Sequence, residues 1–319
     1  MTSGLAPTMT PVAVAPASSP ADLLQYLALF TGLGAEAERV AAELHRGGAG
    51  APASCQPPLH GARGARTCID AGSEWMFSLV APGSRALRVL SRREPPSGGV
   101  SRWTRGHYCA GGGARRWRVE SYIGEPIAAW SRARTAARLV GGEDRLRRYH
   151  AVLGPRSRIY SVAWSRDADV REATVSWQLD RNSPPAEALA ALGLGQTWPV
   201  AAGLLQALLG YPVTARTGPW SLLRPLHEES PRVRIGTTRW ARSLEEPAKR
   251  RRFTSVVGSL GGDHRFAEGL YKLIESASLA RGISSIGRAV EVELLGDELV
   301  EMEFYLCLPP TIRDRGDNT

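Results

Sequence analysis

A strand, a helix and a β-hairpin occur twice in this chain of 319 residues, and a repeated antiparallel unit restricts the fold more than composition does. The first copy opens at Arg116-Trp117-Arg118-Val119 and passes Gly141-Gly142-Glu143-Asp144-Arg145-Leu146 on a helix. It ends in the alternating pair 158–164 and 170–179. The second opens at Arg232-Val233-Arg234-Ile235, passes Gly261-Gly262-Asp263-His264-Arg265-Phe266, and ends in 286–294 and 299–308. The offset between copies runs from 116 to 129 residues.

Three further hairpin patterns complete the count. Trp75, Phe77 and Leu79 alternate up to a turn at Pro82-Gly83-Ser84, followed by Leu87 and Val89; 103–109 pairs with 116–123 across a glycine run; 212–224 pairs with 232–240. Helical spacing covers 21–46, the segment from Pro126 to Leu153, the region opened by Pro184-Pro185, and 244–257 and 263–280. The order predicts an α+β fold, a ten-stranded antiparallel β-barrel of αββα units with an outer ring of helices. An open α+β sheet with its polar face in water carries the same alternation. Residues 1–20 and 311–319 lack periodicity and read as disordered tails around a single barrel domain over 21–310.

Along 170–179 and 299–308 one face carries Val175, Trp177, Leu179, Phe304, Leu306 and Leu308, and the other carries Thr174, Ser176, Gln178, Glu303, Tyr305 and Cys307. An apolar face against helices with a polar face inward suits a polar lumen. By that projection Arg116, Arg118, Glu120 and Tyr122 point inward from one strand, Arg232 and Arg234 from another, with Gln178 and Tyr305 nearby. Arginines two apart on a strand share a face, so each pair is spaced to hold the oxygens of a diphosphate; a solvated surface pair has the same spacing. Glu74, on the inner face with Met76 and Ser78 and beside Arg88, is the candidate catalytic base, or else a surface residue at a strand start. Trp103, Trp164, Trp177, Trp220 and Trp240 are candidates to shield a carbocation, or core packing.

The net charge of +9 is carried almost wholly by arginine, since Lys249 and Lys272 are the only lysines. That composition fits an anionic ligand, and equally a codon bias toward arginine. Cys55, Cys68, Cys109 and Cys307 lack the spacing of a zinc site or a disulfide framework. There is no GxxxxGK[ST] loop, GxGxxG, HExxH, GxSxG or DDxxD, and the six histidines are dispersed. No apolar run reaches the ~20 residues of a membrane span, and the chain reads as soluble and cytoplasmic.

Met76-Phe77-Ser78-Leu79 through Gly83 to Leu87-Arg88-Val89, and Arg158-Ile159-Tyr160 through Val175-Ser176-Trp177, resemble the first and central hairpins of the soluble aromatic prenyltransferases of the ABBA class. The resemblance is mainly architectural, over roughly residues 21–308. It implies a prenyl diphosphate bound by lumenal Arg, Lys and Tyr without DDxxD, and an aromatic acceptor in the adjacent lumen. Carried over, it gives Arg88, Arg118, Arg234 and Tyr305 diphosphate-binding roles, joined by Tyr122 and Gln178, with Glu74 or Ser78 near the acceptor. Two departures stand out: arginines replace the family's lysines, and Glu291, Glu293 and Glu303 point inward, which next to a diphosphate asks for Mg²⁺ or a cationic acceptor such as an arginine side chain or basic peptide.

The expected activity is therefore transfer of an allylic prenyl group from its diphosphate to an electron-rich aromatic or peptide side-chain acceptor in secondary metabolism. A non-catalytic basic α+β protein that binds RNA or another polyanion, and an accessory protein of a biosynthetic cluster, are the alternatives.

Overall fold

The computed structural model describes residues 67–69, 73–81, 86–92, 98–109, 114–165, 171–180, 183–210, 212–214, 218–237 and 287–306, with short stretches between 251 and 272. Within them, side chains are described outside 67–92, 106–116, 287–288 and 306. Both expected tails, the helix expected over 21–46 and Trp240 lie outside the described residues, and those expected over 244–257 and 263–280 are described in part.

Eleven strands form one antiparallel sheet: β1 (Thr67–Ile69), β2 (Ser73–Ala81), β3 (Ala86–Arg92), β4 (Val100–Cys109), β5 (Ala114–Tyr122), β6 (Ser157–Ser165), β7 (Ala173–Leu179), β8 (Trp220–Pro225), β9 (Arg232–Thr237), β10 (Gly287–Leu295) and β11 (Glu298–Leu306). Their order is β1-β2-β11-β10-β9-β8-β7-β6-β5-β4-β3, and β2 also pairs with β3. That last pairing, from Glu74 opposite Arg92 to Val80 opposite Ala86, returns the sheet on itself and gives it an inner and an outer face. β1 adds a short strand on β2 that the sequence pattern did not suggest.

Among the described residues, four helices lie along the outer face: α1 (Pro126–Leu139), α2 (Glu143–Leu153), α3 (Pro185–Ala191) and α4 (Thr197–Leu209). Proline opens α1 and α3 in the first-turn position, where its missing N–H costs nothing. Ala129, Ala133, Ala136 and Ala137 form the buried stripe of α1, and their small side chains bring the helix backbone close to β6. The single helical segment expected from 126 to 153 is two helices, because Gly141 takes φ 64° between them. Gly193, at φ 74°, likewise separates α3 from α4.

The outer face of the sheet and these helices share one core: Val162, Val175, Trp177, Leu179, Trp220, Leu222, Val233, Ile235, Val290, Val292, Met302 and Phe304 from strands, with Leu146, Leu153, Leu189, Leu205 and Leu208 from helices. Burying such side chains stabilises by about 1.5–3 kcal/mol each. α2 is clamped at its N-terminus, where Arg145 donates from Nε to the Leu226 carbonyl at 2.8 Å. A Cβ on Gly142 would stand 2.2 Å from that same oxygen, so only glycine fits.

Candidate active site

The faces follow from pairing and burial. Val233 and Ile235 belong to the helix-side core, so Arg232, Arg234 and Gly236 take the inner face of β9. Across the ladders Arg234 stands opposite Leu223 and Glu293, and Gly236 opposite Ser221 and Glu291. A Cβ at Gly236 would lie 2.8 Å from Glu291 Cγ and 2.6 Å from Ser221 Oγ, so the missing side chain is the space Glu291 occupies.

Arg234 is the centre of this inner wall, with its side chain 8% exposed. It donates from Nε to Glu293 Oε2 at 3.0 Å, from Nη2 to Glu301 Oε2 at 3.2 Å and to Glu293, and from Nη1 to Glu303. Glu291 Oε2 stands 3.6 Å from Nη1, and Arg232 adds an ion pair to Glu293 at 3.3 Å. Burial works against the guanidinium charge, but Glu303, Glu293, Glu301 and Glu291 outweigh it and hold the group charged. Tyr305 donates its hydroxyl to Glu291 Oε2 at 2.9 Å, and burial, then Glu291 and Glu303, push the phenol further toward its protonated form. Burial also raises the pKa of Glu291, reinforced by Glu303 and opposed by Arg234, the Tyr305 hydrogen bond and Arg105.

This wall corrects the expectation of a basic one. Four carboxylates meet one buried guanidinium, and every nitrogen of Arg234 already faces a carboxylate, so Arg234 organises the wall instead of presenting free donors to a diphosphate. Arg234 supplies one cation beside Glu291, Glu293 and Glu303. Among the described residues no group of three or more His, Cys, Asp or Glu side chains is arranged to hold a metal ion.

The opposite wall corrects a second expectation. Arg118, Glu120 and Tyr122 lie on the helix side, since Glu120 pairs with Arg132 of α1, Tyr122 joins the helix-side core, and Glu120 and Arg118 stand across from Val162 and Trp164. Arg116, opposite Gly106 and two residues before Arg118, stands at the same outer parity. The inner positions of β5 are Trp117, Val119 and Ser121, paired with Arg105, Trp103 and Ser101 of β4. Trp117 and Val119 are buried yet absent from the helix-side core. The guanidinium of Arg105 lies 5.0 Å from the centre of the Trp117 ring. Polar alternation misassigned β5 because its outward carboxylate, Glu120, is paired by Arg132 of α1, while its apolar residues line the interior.

Sequence reasoning missed Arg105, Trp117 and Glu301. The apolar parity of Trp117 and Val119 was visible, but nothing local says which side of the sheet it faces. One inner ladder runs through four serines, Ser101, Ser121, Ser161 and Ser176, before reaching Leu223 and Arg234. Gln178 sits at the inner parity of β7, where Arg158 donates to its Oε1 from Nε at 3.0 Å and from Nη2 at 2.6 Å. Another ladder joins Tyr305, Ser78, Arg88 and His107. Glu74 stands two positions beyond Met76 on β2, opposite Arg92 and Cys68. Of the expected aromatics, Trp177 and Trp220 are helix-side core and Trp164 is on the outer face; Trp103 is at an inner position.

A curled antiparallel sheet, its helices outside and its polar clusters within, has the fold of the ABBA-type aromatic prenyltransferases. The chain is similar to PriB, solved as a binary complex with product diphosphate, at 14% identity and a TM-score of 0.64, covering 91% of this chain and 96% of PriB. It is also similar to 5-dimethylallyltryptophan synthase from Streptomyces coelicolor, at 16% identity and a TM-score of 0.58 over 92% and 97% of the two chains. AnaPT from Neosartorya fischeri is similar at 11% identity and 0.51 over 74% and 78%. No protein-family model matches the chain, and no curated protein matches it in sequence.

Proposed function

We propose that the protein is a prenyltransferase that moves an allylic prenyl group from its diphosphate to an electron-rich aromatic or peptide side-chain acceptor held inside a closed ten-stranded barrel of αββα units. The observation that carries this reading is the interior itself: an aromatic wall at Trp103 and Trp117 with Arg105, facing a wall of ordered carboxylates, arginine and phenol at Arg234, Glu291 and Tyr305. The fold likeness supports it, since PriB has also been solved with L-tryptophan and dimethylallyl thiolodiphosphate.

In the proposed reaction the allylic C–O bond breaks and the diphosphate leaves with the electron pair. The acceptor ring then supplies the electrons for a new C–C bond and loses a proton. Arg88, on the ladder of Ser78 and Tyr305, is proposed to take the diphosphate, with Tyr305 turning its hydroxyl from Glu291 to join it; donors so placed stabilise the developing charge. Glu74 is proposed to receive the proton. Trp103 and Trp117 are proposed to cover the cation.

The test is product formation by mass spectrometry with dimethylallyl and geranyl diphosphate against L-tryptophan, tryptophan-containing peptides and arginine-containing peptides, with and without Mg²⁺. Thermal stabilisation is measured alongside. Gain of one prenyl unit by an acceptor, with stabilisation by prenyl diphosphates beyond inorganic pyrophosphate, is the expected outcome. No product together with a salt-sensitive stabilisation by short RNA would overturn the reading in favour of polyanion binding.

A further inference from the structure

The outer side of β4 and β5 carries a charge cluster that the catalytic reading does not use. Glu120 is buried, its side chain 2% exposed, and its Oε2 is met by two groups: Tyr122 donates to it at 2.7 Å, and Arg132 Nε of α1 lies 2.8 Å away. One arginine neutralises one carboxylate. Yet Arg102, directly across the ladder, and Arg118, two residues back along β5, also bring Nε to within 3.5 and 3.6 Å of Glu120 Oε1.

These two side chains are 44% and 49% exposed, and Arg132 is 39% exposed. Each presents its Nε to Glu120 and keeps much of its side chain in solvent. Trp164 fixes two of the three, with Arg118 and Arg132 carbons 5.9 and 5.6 Å from its ring centre. The result is three guanidiniums gathered on one carboxylate, held by a helix, two strands and an indole, with an excess of two positive charges.

We propose that Arg102, Arg118 and Arg132 form an anion site on the outer face of the protein that takes a dianionic phosphoryl group. The charge excess matches a phosphate dianion, and planar forks held on a shared anchor suit its oxygens better than mobile lysines would. The site lies on the opposite face of the sheet from Arg234 and Tyr305, so it is separate from any diphosphate bound inside.

The test uses the full chain with inorganic phosphate as probe. Phenylglyoxal labelling read peptide by peptide should show phosphate protecting Arg102 and Arg118, while succinate or chloride at equal ionic strength does not. By calorimetry, Arg102→Gln should bind phosphate about tenfold more weakly, the loss of one charge-assisted hydrogen bond. The double variant Arg102→Gln, Arg118→Gln should lose that binding event, and circular dichroism unchanged from the parent shows that the fold is kept, with Arg132 and Tyr122 still on Glu120 Oε2. Equal protection by chloride, or unchanged phosphate binding in the double variant, overturns the site. Prenyl transfer has a separate readout, so its absence would leave this result standing.

Discussion

Replacing Arg234 by Gln removes the one buried cation from a wall of four carboxylates. Its side chain is 8% exposed, that of Glu303 is 1% and that of Glu293 is 7%, so solvent cannot replace the lost partner. Leaving buried charge uncompensated in this way costs about 3–5 kcal/mol. For a chain this long, at roughly 2 °C per kcal/mol, the thermal midpoint should fall by about 8 °C at pH 7.5. Acidification should then rescue the variant. The pKa of Glu291 is already raised in the folded state by burial and Glu303, and Arg234 is the largest influence holding it down. A carboxyl with a raised folded pKa favours the folded state below its unfolded value and loses that contribution as pH rises through the folded one. With Arg234 gone the pKa rises further, so the gap between variant and parent should narrow steadily from pH 7.5 toward pH 5. Differential scanning calorimetry across that range is the assay. A fall of under 2 °C at pH 7.5, or a gap that widens on acidification, would refute the electrostatic account.

Arg232→Gln, by contrast, removes a partly exposed pair to Glu293 at 3.3 Å and should cost about 1 kcal/mol or less by denaturant titration. Gly142→Ala should destabilise by about 2 kcal/mol or more, because its Cβ would meet the Leu226 carbonyl oxygen at 2.2 Å and α2 must shift; unchanged stability would show that the helix gives way freely. Arg132→Ala should cost about 1–3 kcal/mol by removing the 2.8 Å partner of buried Glu120 Oε2 while Arg102 and Arg118 still face Oε1, and the additional Glu120→Gln change should recover much of it. If prenyl transfer is established, Glu74→Gln should lower kcat about 10²-fold or more with KM for the prenyl diphosphate little changed, as loss of a proton acceptor requires; a change in KM alone would remove Glu74 from that role.

The local elements were legible because they are encoded by period and punctuation. Hairpins at β2–β3, β4–β5, β6–β7, β8–β9 and β10–β11 announced themselves by alternation around Gly, Pro and Asp, and proline marked the starts of α1 and α3. Breaks at Gly141 and Gly193 were less visible, since a single glycine inside an apolar stripe does not declare whether it takes a positive φ. The inner cluster on β9, β10 and β11 was partly foreseen: Arg234, Glu291, Glu293, Glu303 and Tyr305 were all placed inward, and each takes the inner parity.

What the sequence by itself determined is a set of two-faced strands and one-striped helices, and therefore the spacing of every chemical group along its strand. What only the tertiary structure decided is which face looks inward. Arg116-Trp117-Arg118 and Arg232-Val233-Arg234 are near-copies, yet the first pair of arginine positions is at the outer parity and the second at the inner one. On β9 Val233 and Ile235 are needed to cover the helix-side core, which sends Arg234 inward to four glutamates. On β5 a single carboxylate, Glu120, finds Arg132 on α1, and that buried pairing turns Trp117 and Val119 to the interior instead. A period of two fixes alternation but not its sign, and the sign is set by a partner more distant along the chain than any local pattern reaches.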